Sequence, residues 1–504
     1  MKSPRAIATH NRIRTESLLI GAFWSILLAG ASFTTTDPDL WGHVRFGLDI
    51  LRDWSIARAD PYSFTSDQPW VNHEWLAEVI MATAYRCAGN AGLILLKLAV
   101  IVSTLWLVDL TVRREDIERA FVRCGVLALA IVLALNQVRY VRPQLFSVVA
   151  FAALMWCLTT TSRSSKRWLL LIPVLFVAWA NVHGGWVVGG AVLAVWTLGV
   201  ALGGDRRGAT LYVMAGAAAL AATLVTPYGF HLWSFLRDTV GFSRSDITEW
   251  QPTYAFGWAA CIPWAVSVVI GVAGIVIGGR PARQPERIGC FVVLAAAALW
   301  VARLQAFLGL AVMFLSGPSL ARAYDRAHSI SAATDHSGRR AIRAVAVCGI
   351  AAALVVAAIN MTHLRIGREI IPAPGAVAFL KSEPPAGGRL LVWFDWGEYA
   401  IWHLAPRLRV SIDGRRETVY SEAVRDRHGQ FYLDEPGGAA LPQELAADYV
   451  WIPPYAPAVR GLEAAGWQRL YQDADSVVFG RAGSRTSNTP VAIAAAVNAF
   501  FPGP

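Results

Sequence analysis

Charge is scarce in this chain: Asp, Glu, Lys and Arg make up 16% of its 504 residues, against 55% hydrophobic ones. One soluble core could not bury that much apolar surface, and the mean hydropathy of +0.43 excludes an ordinary soluble enzyme. Paired cysteines are missing too. Cys87, Cys124, Cys157, Cys261, Cys290 and Cys348 are scattered singly with no CxxC spacing, which speaks against a disulfide framework and a thiolate metal centre. No internal repeat is visible. The formal charge of +10 could point to nucleic acid. However, Lys and Arg fall in short runs between apolar stretches, as the loop flanks of membrane helices do, so nucleic acid is not an expected partner.

What is present is a series of apolar runs, each near the roughly 17 to 25 residues needed to cross a bilayer. They cover 16–35, 91–112, 121–138, 144–161, 168–183, 185–203, 209–226, 257–279, 288–304, 305–321 and 343–360, about eleven spans by that length rule. The basic leader with Lys2, Arg5, Arg12 and Arg14 and the runs RRED (113–116), SRSSKR (162–167), GRPARQPER (279–287) and RAYDRAH (322–328) fall on one side, taken as cytoplasmic. LAGAS at 28–32 offers small residues for cleavage, yet the long first run reads as an uncleaved helix. The expected fold is therefore an α-helical polytopic membrane protein. Its membrane domain spans 1–361, with large outer loops at 36–90 and 226–256. An extracytoplasmic α/β domain over 372–483 follows, built from strands at RLLVWF, LRVSIDG and DYVWIPP, a helix at WGEYAIWHL and a closing hairpin at 467–481. A tail over 484–504 is too short to cross.

The first outer loop gathers acids, histidines and tryptophans directly behind the first span. DLWGHVRFGLDILRDW (39–54) puts Leu40, Val44, Leu48 and Leu51 on one helical face, a helix expected to lie along the outer membrane surface. A second helix is expected over 73–87, starting at His73 and Glu74. Asp37 before Pro38 can cap the first of these helices and Asp39 can serve as its N-terminal acid, roles compatible with chemistry. Arg139 and Arg142 in RYVRP and Arg303 lie near outer span ends, where an unpaired charge is costly. His183 sits in the turn NVHGGW, where Gly184 and Gly185 permit a backbone bend, and Glu249 with Trp250 and Asp246 in the loop 226–256. Arg415 and Arg416 in IDGRRE could meet an anion, although Asp-Gly after a strand is more often turn chemistry.

Together, DPDLWGHVRFGLDIL, RADPYSFT, WVNHEWLAE, VRYVRPQLFS, WANVHGGW, TPYG, SDITEWQP, FDWGEYAIW and IDGRRE resemble the bacterial integral-membrane glycosyltransferases of the GT-C superfamily. The likeness runs over nearly the whole chain. Protein O-mannosyltransferases, aminoarabinose transferases and oligosaccharyltransferases are relatives, and in the last an outer-loop aspartate precedes an arginine by six residues, as Asp39 precedes Arg45. The resemblance implies a sugar donor on a polyprenyl phosphate or diphosphate, set in the bilayer, and a glycan, lipid or protein acceptor outside the cytoplasm. Phosphate is a stable leaving group, so the reaction needs a base for the acceptor proton and cations for the phosphate. Asp39, or Asp37, is the expected base. Arg139, Arg142 and Arg303 are the expected clamp, with His73, Glu74, His183 and Glu249 as further substrate contacts. Carboxylates and imidazoles also suit Mg or Mn, with Asp37, Asp39 and His43 as candidate ligands, which His73 and Glu74 could join, but no compact ligand spacing is present. A transporter or a non-catalytic envelope-assembly factor is the alternative. A transporter would place its charges near the midplane of broken helices rather than at outer ends, and an assembly factor would not need Asp39 or the arginines.

Overall fold

The computed structural model describes residues 4–115, 117, 120–162, 165–240, 247–327, 336–367, 372, 374–382, 388–481 and 500–503. Asp246 and most of the tail 484–504 lie outside them. Every expected span falls on helical chain, although 121–138, 168–183, 288–304 and 305–321 each run across a break between two helices. The first four helices are α1 (Pro4–Ser32), α2 (Leu40–Asp53), α3 (Trp75–Arg113) and α4 (Ala120–Leu133). The rest of the membrane block is Gln144–Thr161, Leu171–Val182, Trp186–Leu202, Arg206–Ala222, Trp258–Ile277, Pro285–Trp300, Gln305–Leu315, Gly317–Ala327 and His336–Asn360. Among the described residues five helices are long and apolar enough to cross a membrane, or six if the pair bent by 50° at Ser316 counts as one span. The expected helix over 73–87 and span over 91–112 run head to tail as α3, broken at Ala88 (φ −148°) and Gly89 (φ 57°). Gly89 permits that break because φ lies in the left-handed region.

Alternating helices bring all the outer-loop segments to one end of the bundle. The first and last helices pack together, with Arg343 Nε donating to Thr15 Oγ1 at 2.8 Å and Asn360 Nδ2 to Ser32 Oγ at 3.1 Å. Where both emerge, β1 (Thr34–Thr35) pairs in parallel with β2 (Leu364–Arg365), and Thr35 bridges to Tyr140. This knot pins the acid segment over the bundle. At the opposite end Asp109 is held by Arg113 at 2.6 Å and Arg123 at 2.8 Å.

The C-terminal sheet has the order β4-β3-β5-β7-β6. β3 (Gly388–Val392) runs parallel to β4 (Leu408–Val410) and β5 (Tyr449–Ile452), whereas β7 (Val477–Gly480) is antiparallel to β5 and to β6 (Gln468–Gln472). β5 and β7 are buried throughout, as their continuous apolar runs dictate. The helix Gly397–Leu404 follows β3 and packs on α2. That contact covers part of the apolar face expected to meet the membrane surface. Leu40 and Val44 of the expected face are buried with Trp41 and Phe46, because α3 and the C-terminal domain cover the first half of α2, whereas Leu48 and Leu51 stay half-exposed.

Candidate functional site

Pinning of β1 sets Asp37 and Asp39 at the N-terminus of α2 and gives them different tasks. Asp37 is buried, and its Oδ1 accepts the Asp39 N–H at 3.1 Å. Its Oδ2 accepts from Arg142 Nη1 at 3.3 Å. Asp39 occupies the N-cap position, yet its side chain makes no capping hydrogen bond. Glu398 of the C-terminal domain reaches that helix end instead, where its Oε2 accepts the Gly42 N–H at 3.1 Å. The Asp39 carboxylate is turned toward Gly414: a Cβ there would lie 2.2 Å from Asp39 Oδ1 and 3.1 Å from Glu398 Oε1. Only glycine leaves room for both acids.

Crowding of carboxyls in a partly buried place has an electrostatic result. Burial, and after it the charge of Asp37, raises the Asp39 pKa to about 7, with His43 and Arg142 opposing. Burial also lifts Glu398 well above the usual range, and Asp39 adds to the effect. Asp395 is raised by burial and by Asp37. Burial works against the charge on His43, but its hydrogen bond to Glu78 and the charges of Glu74, Glu78 and Asp39 raise it to about 9. His43 Nδ1 donates to Glu78 Oε1 at 3.4 Å, and Glu78 Oε2 accepts from Asn72 Nδ2 at 2.6 Å. Arg45, six residues after Asp39, pairs with Asp49 at 2.8 Å rather than with Asp39.

A basic arm continues from Asp37. Arg142 is buried between Asp37 and Glu249, both of which keep it charged against the cost of burial. Its Nη2 donates to Glu249 Oε1, and its buried Nε has no hydrogen-bond partner among the described residues. Arg303 Nε stands 3.9 Å from Glu249 Oε2, and the Arg303 guanidinium lies over the Trp250 ring at 5.7 Å. Arg139 and Arg142 flank the Tyr140 ring, each at 5.4 Å. Arg139 is exposed and, among the described residues, has no carboxylate partner.

On the far side of Arg303 stands His183, the C-cap of the helix Leu171–Val182. Its Nε2 is 3.2 Å from Arg303 Nη2 and 3.6 Å from Glu74 Oε1, and His73 Nε2 lies 3.7 Å from the same oxygen. The glycines after His183 were expected to supply a backbone bend. Gly185 instead has an ordinary φ of −61°, and what it supplies is space, since a Cβ would lie 2.3 Å from Ser147 Oγ.

Of the expected residues, the fold thus strings Asp39, Asp37, Arg142, Glu249, Arg303, His183, Glu74 and His73 into one line of contacts, with His43 beside its acid end and Arg139 on its exposed flank. Glu398, Asp395, Glu78 and Ser147 were not singled out from sequence. The acids of FDWGEYAIW stand in a motif already read as family-like, and that was the available signal. Arg415 takes no part: it is buried between Asp60 and Asp413. Among the described residues no group of three or more His, Cys, Asp or Glu is arranged to hold a metal ion. Both Asp37 oxygens and His43 Nδ1 already have protein partners, with Arg142 balancing the Asp37 charge. Cavities of about 390 Å³ beside Trp54 and Trp75 and about 580 Å³ beside Phe121 and Tyr324 have no acid in their linings.

No protein-family model matches the sequence, and no curated protein does. Solved structures do. ArnT from Cupriavidus metallidurans bound to undecaprenyl phosphate is 13% identical, with a TM-score of 0.51 over 96% of this chain and 99% of that one. Its apo state gives 14% and 0.52, over 95% and 99%. The mycobacterial arabinofuranosyltransferase AftD is 15% identical with a TM-score of 0.51, over 93% of this chain and 40% of that one. Both are GT-C glycosyltransferases. The chain therefore has the GT-C fold and is a multi-pass membrane protein.

Proposed function

We propose that this chain is a membrane glycosyltransferase that moves a sugar from a polyprenyl phosphate or diphosphate carrier to a glycan, lipid or protein acceptor outside the cytoplasm. The observation that carries this reading is the unbroken line from Asp39 through Asp37, Arg142 and Glu249 to Arg303 at one mouth of a GT-C fold. ArnT, which shares that fold, was solved with undecaprenyl phosphate. The basic runs facing the other end of the helices support a cell membrane with the mouth outward.

Asp39 serves as the base. A carboxylate whose pKa burial and the Asp37 charge raise to about 7 holds a proton more tightly than an ordinary one, as a base for a hydroxyl must. It removes the proton of the acceptor hydroxyl as that oxygen forms a bond to the anomeric carbon. The bond from that carbon to the carrier phosphate breaks, and its electron pair stays on the phosphate oxygen. Arg142 and Arg303 stabilise the new charge. Glu249, whose side chain is 35% exposed against 10% for Arg142, holds their place until phosphate displaces it, and the unpaired Arg142 Nε supplies one donor. The C-terminal domain belongs to the site, because Glu398 shares the Gly414 niche with Asp39. A divalent ion remains an addition to this scheme, tested by chelation of the reconstituted protein.

The test is transfer of radiolabel from a polyprenyl-linked sugar in proteoliposomes. Asp39→Asn should insert and fold yet lose roughly 10²–10⁴-fold in rate, the usual worth of a general base. Parental turnover in both Asp39→Asn and Asp37→Asn would remove the chemistry from this loop.

A further inference from the structure

His183 is held in a way that dictates which of its nitrogens carries the proton. The Gly185 N–H donates to Nδ1 at 2.9 Å. Ser147 Oγ stands 2.6 Å from the same nitrogen and itself accepts the Trp179 Nε1–H at 2.7 Å. Ser147 and Trp179 are both buried. A backbone N–H can only donate, so Gly185 makes Nδ1 an acceptor, and the Ser147 hydroxyl, its oxygen accepting from Trp179, gives its hydrogen to the same nitrogen. A nitrogen receiving hydrogens cannot bear one, so the single proton of a neutral imidazole sits on Nε2. Metal ligation through Nε2 would need the opposite tautomer.

This assignment makes the neighbouring contact informative. Arg303 Nη2 and His183 Nε2–H are 3.2 Å apart, and both are donors, so neither satisfies the other. Glu74 Oε1, an acceptor, is 3.6 Å from the same Nε2. The three side chains are 12% to 19% exposed, closed off from bulk water but not sealed. His73 Nε2 also faces Glu74 Oε1, at 3.7 Å, but the two donors that face each other, on His183 and Arg303, together with the Glu74 oxygen match the capacity of one group: a hydroxyl accepts two hydrogen bonds and gives one. A phosphate oxygen accepts only, and would be set against the Glu74 carboxylate.

We infer that His183, Arg303 and Glu74 form a subsite for a sugar hydroxyl, distinct from the phosphate contact at Arg142, and that Ser147 and Trp179 are the positioning residues that lock His183 as a donor. The inference rests on the glycosyltransferase reading and adds which part of the substrate meets this end of the cluster. The hydroxyl can belong to the donor sugar or to the acceptor.

The experiment measures binding of undecaprenyl phosphate, and of undecaprenyl-phosphoryl mannose, glucose and arabinose, to the purified full chain. It also measures transfer to a delipidated envelope extract titrated at saturating donor. Glu74→Gln separates the cases by sign. For a hydroxyl it weakens a sugar-bearing lipid, or raises the acceptor KM, by roughly 10- to 100-fold, while undecaprenyl phosphate changes less than about twofold. For a phosphate it removes a repulsion and tightens undecaprenyl phosphate, which overturns the subsite. His183→Leu should behave as Glu74→Gln does, His183→Gln should recover part of the loss because its amide N–H lies near the Nε2 position, and Ser147→Ala should fall between. A shift in the donor arm places the hydroxyl on the donor sugar, and a shift in the acceptor arm places it on the acceptor. No change in either arm discards the proposal. A parental protein that binds no polyprenyl lipid and transfers no sugar discards instead the glycosyltransferase reading beneath it.

Discussion

Arg142 and Arg415 are each clasped by two carboxylates, and they do opposite things. Arg415 spends four of its five N–H donors on carboxylates: Nε and Nη2 reach Asp413 at 2.8 and 2.6 Å, and Nη1 and Nη2 reach Asp60 at 2.7 and 2.8 Å. Phe46, Tyr62 and Trp70 surround the guanidinium, with ring centroids 5.0, 5.4 and 4.8 Å away, and Tyr420 donates to Asp413 at 2.7 Å. Arg142 has a buried Nε with no partner among the described residues, and one of its carboxylates, Glu249, is the more exposed. Two bidentate carboxylates and three aromatic rings close Arg415 off, so it joins the first outer loop to the C-terminal domain. The incomplete shell at Arg142 is what a binding site requires.

The largest effect that can break this comparison is Arg415→Ala. It strands two buried carboxylates, so it should cost about 3–5 kcal/mol of stability, seen as a lower melting temperature and poor yield in detergent. A melting temperature near the parental one would place Arg415 among the ligand contacts. Next comes Arg142→Ala, which should lower the transfer rate by roughly 10²-fold, the scale of one lost transition-state donor. Its stability should fall less than that of Arg415→Ala, and Arg142→Lys should keep part of the rate because it retains charge but not the planar fork. A rate change confined to KM would assign Arg142 to ground-state binding.

A finer effect lies in the pH profile. Asp39 must be ionised to accept a proton, and its pKa is raised to about 7 first by burial and then by Asp37. The rate should therefore climb with pH through about 7 and level off above it. Asp37→Asn removes the second cause, so the acid limb should move to lower pH and activity in mild acid should gain relative to activity in mild alkali. A limb that stays in place would detach it from Asp39. The smallest expected change is for Arg139→Ala, whose exposed guanidinium holds no carboxylate: less than about threefold in rate, in line with the low worth of solvent-exposed charge. A loss equal to that of Arg142→Ala would return Arg139 to the clamp.

Much of the fold was legible because its signals are local. The break between 87 and 91 was readable as a gap in the apolar run before Gly89 appeared with φ 57°. The strands at RLLVWF and DYVWIPP were readable as short apolar runs bounded by turns. Strand β4 was read too long, since only Leu408–Val410 pairs and the SIDG that follows turns toward Asp60. The short end of the tail, read as an appendage, is tied down: Trp41 Nε1 donates to Pro502 O at 2.8 Å, Asn90 Nδ2 to Phe501 O at 2.7 Å, and Phe501 is buried. Nothing in four residues of sequence specifies such a contact.

The sequence alone determined what depends on neighbours along the chain: where apolar runs are long enough for lipid, which loops are basic, and that the acids follow the first span. Hydropathy and helical period act within a few turns, so they can be read residue by residue. The tertiary structure decided everything that depends on convergence. Asp37 meets Arg142 across 105 positions, Arg142 meets Glu249 across 107, Arg303 meets His183 across 120, and Glu398 reaches Gly42 across 356. Whether an arginine ends up sealed like Arg415 or left with an open donor like Arg142 is a property of those distant partners. No local pattern encodes it, because the number of hydrogen bonds a guanidinium completes is counted only after the chain has closed around it.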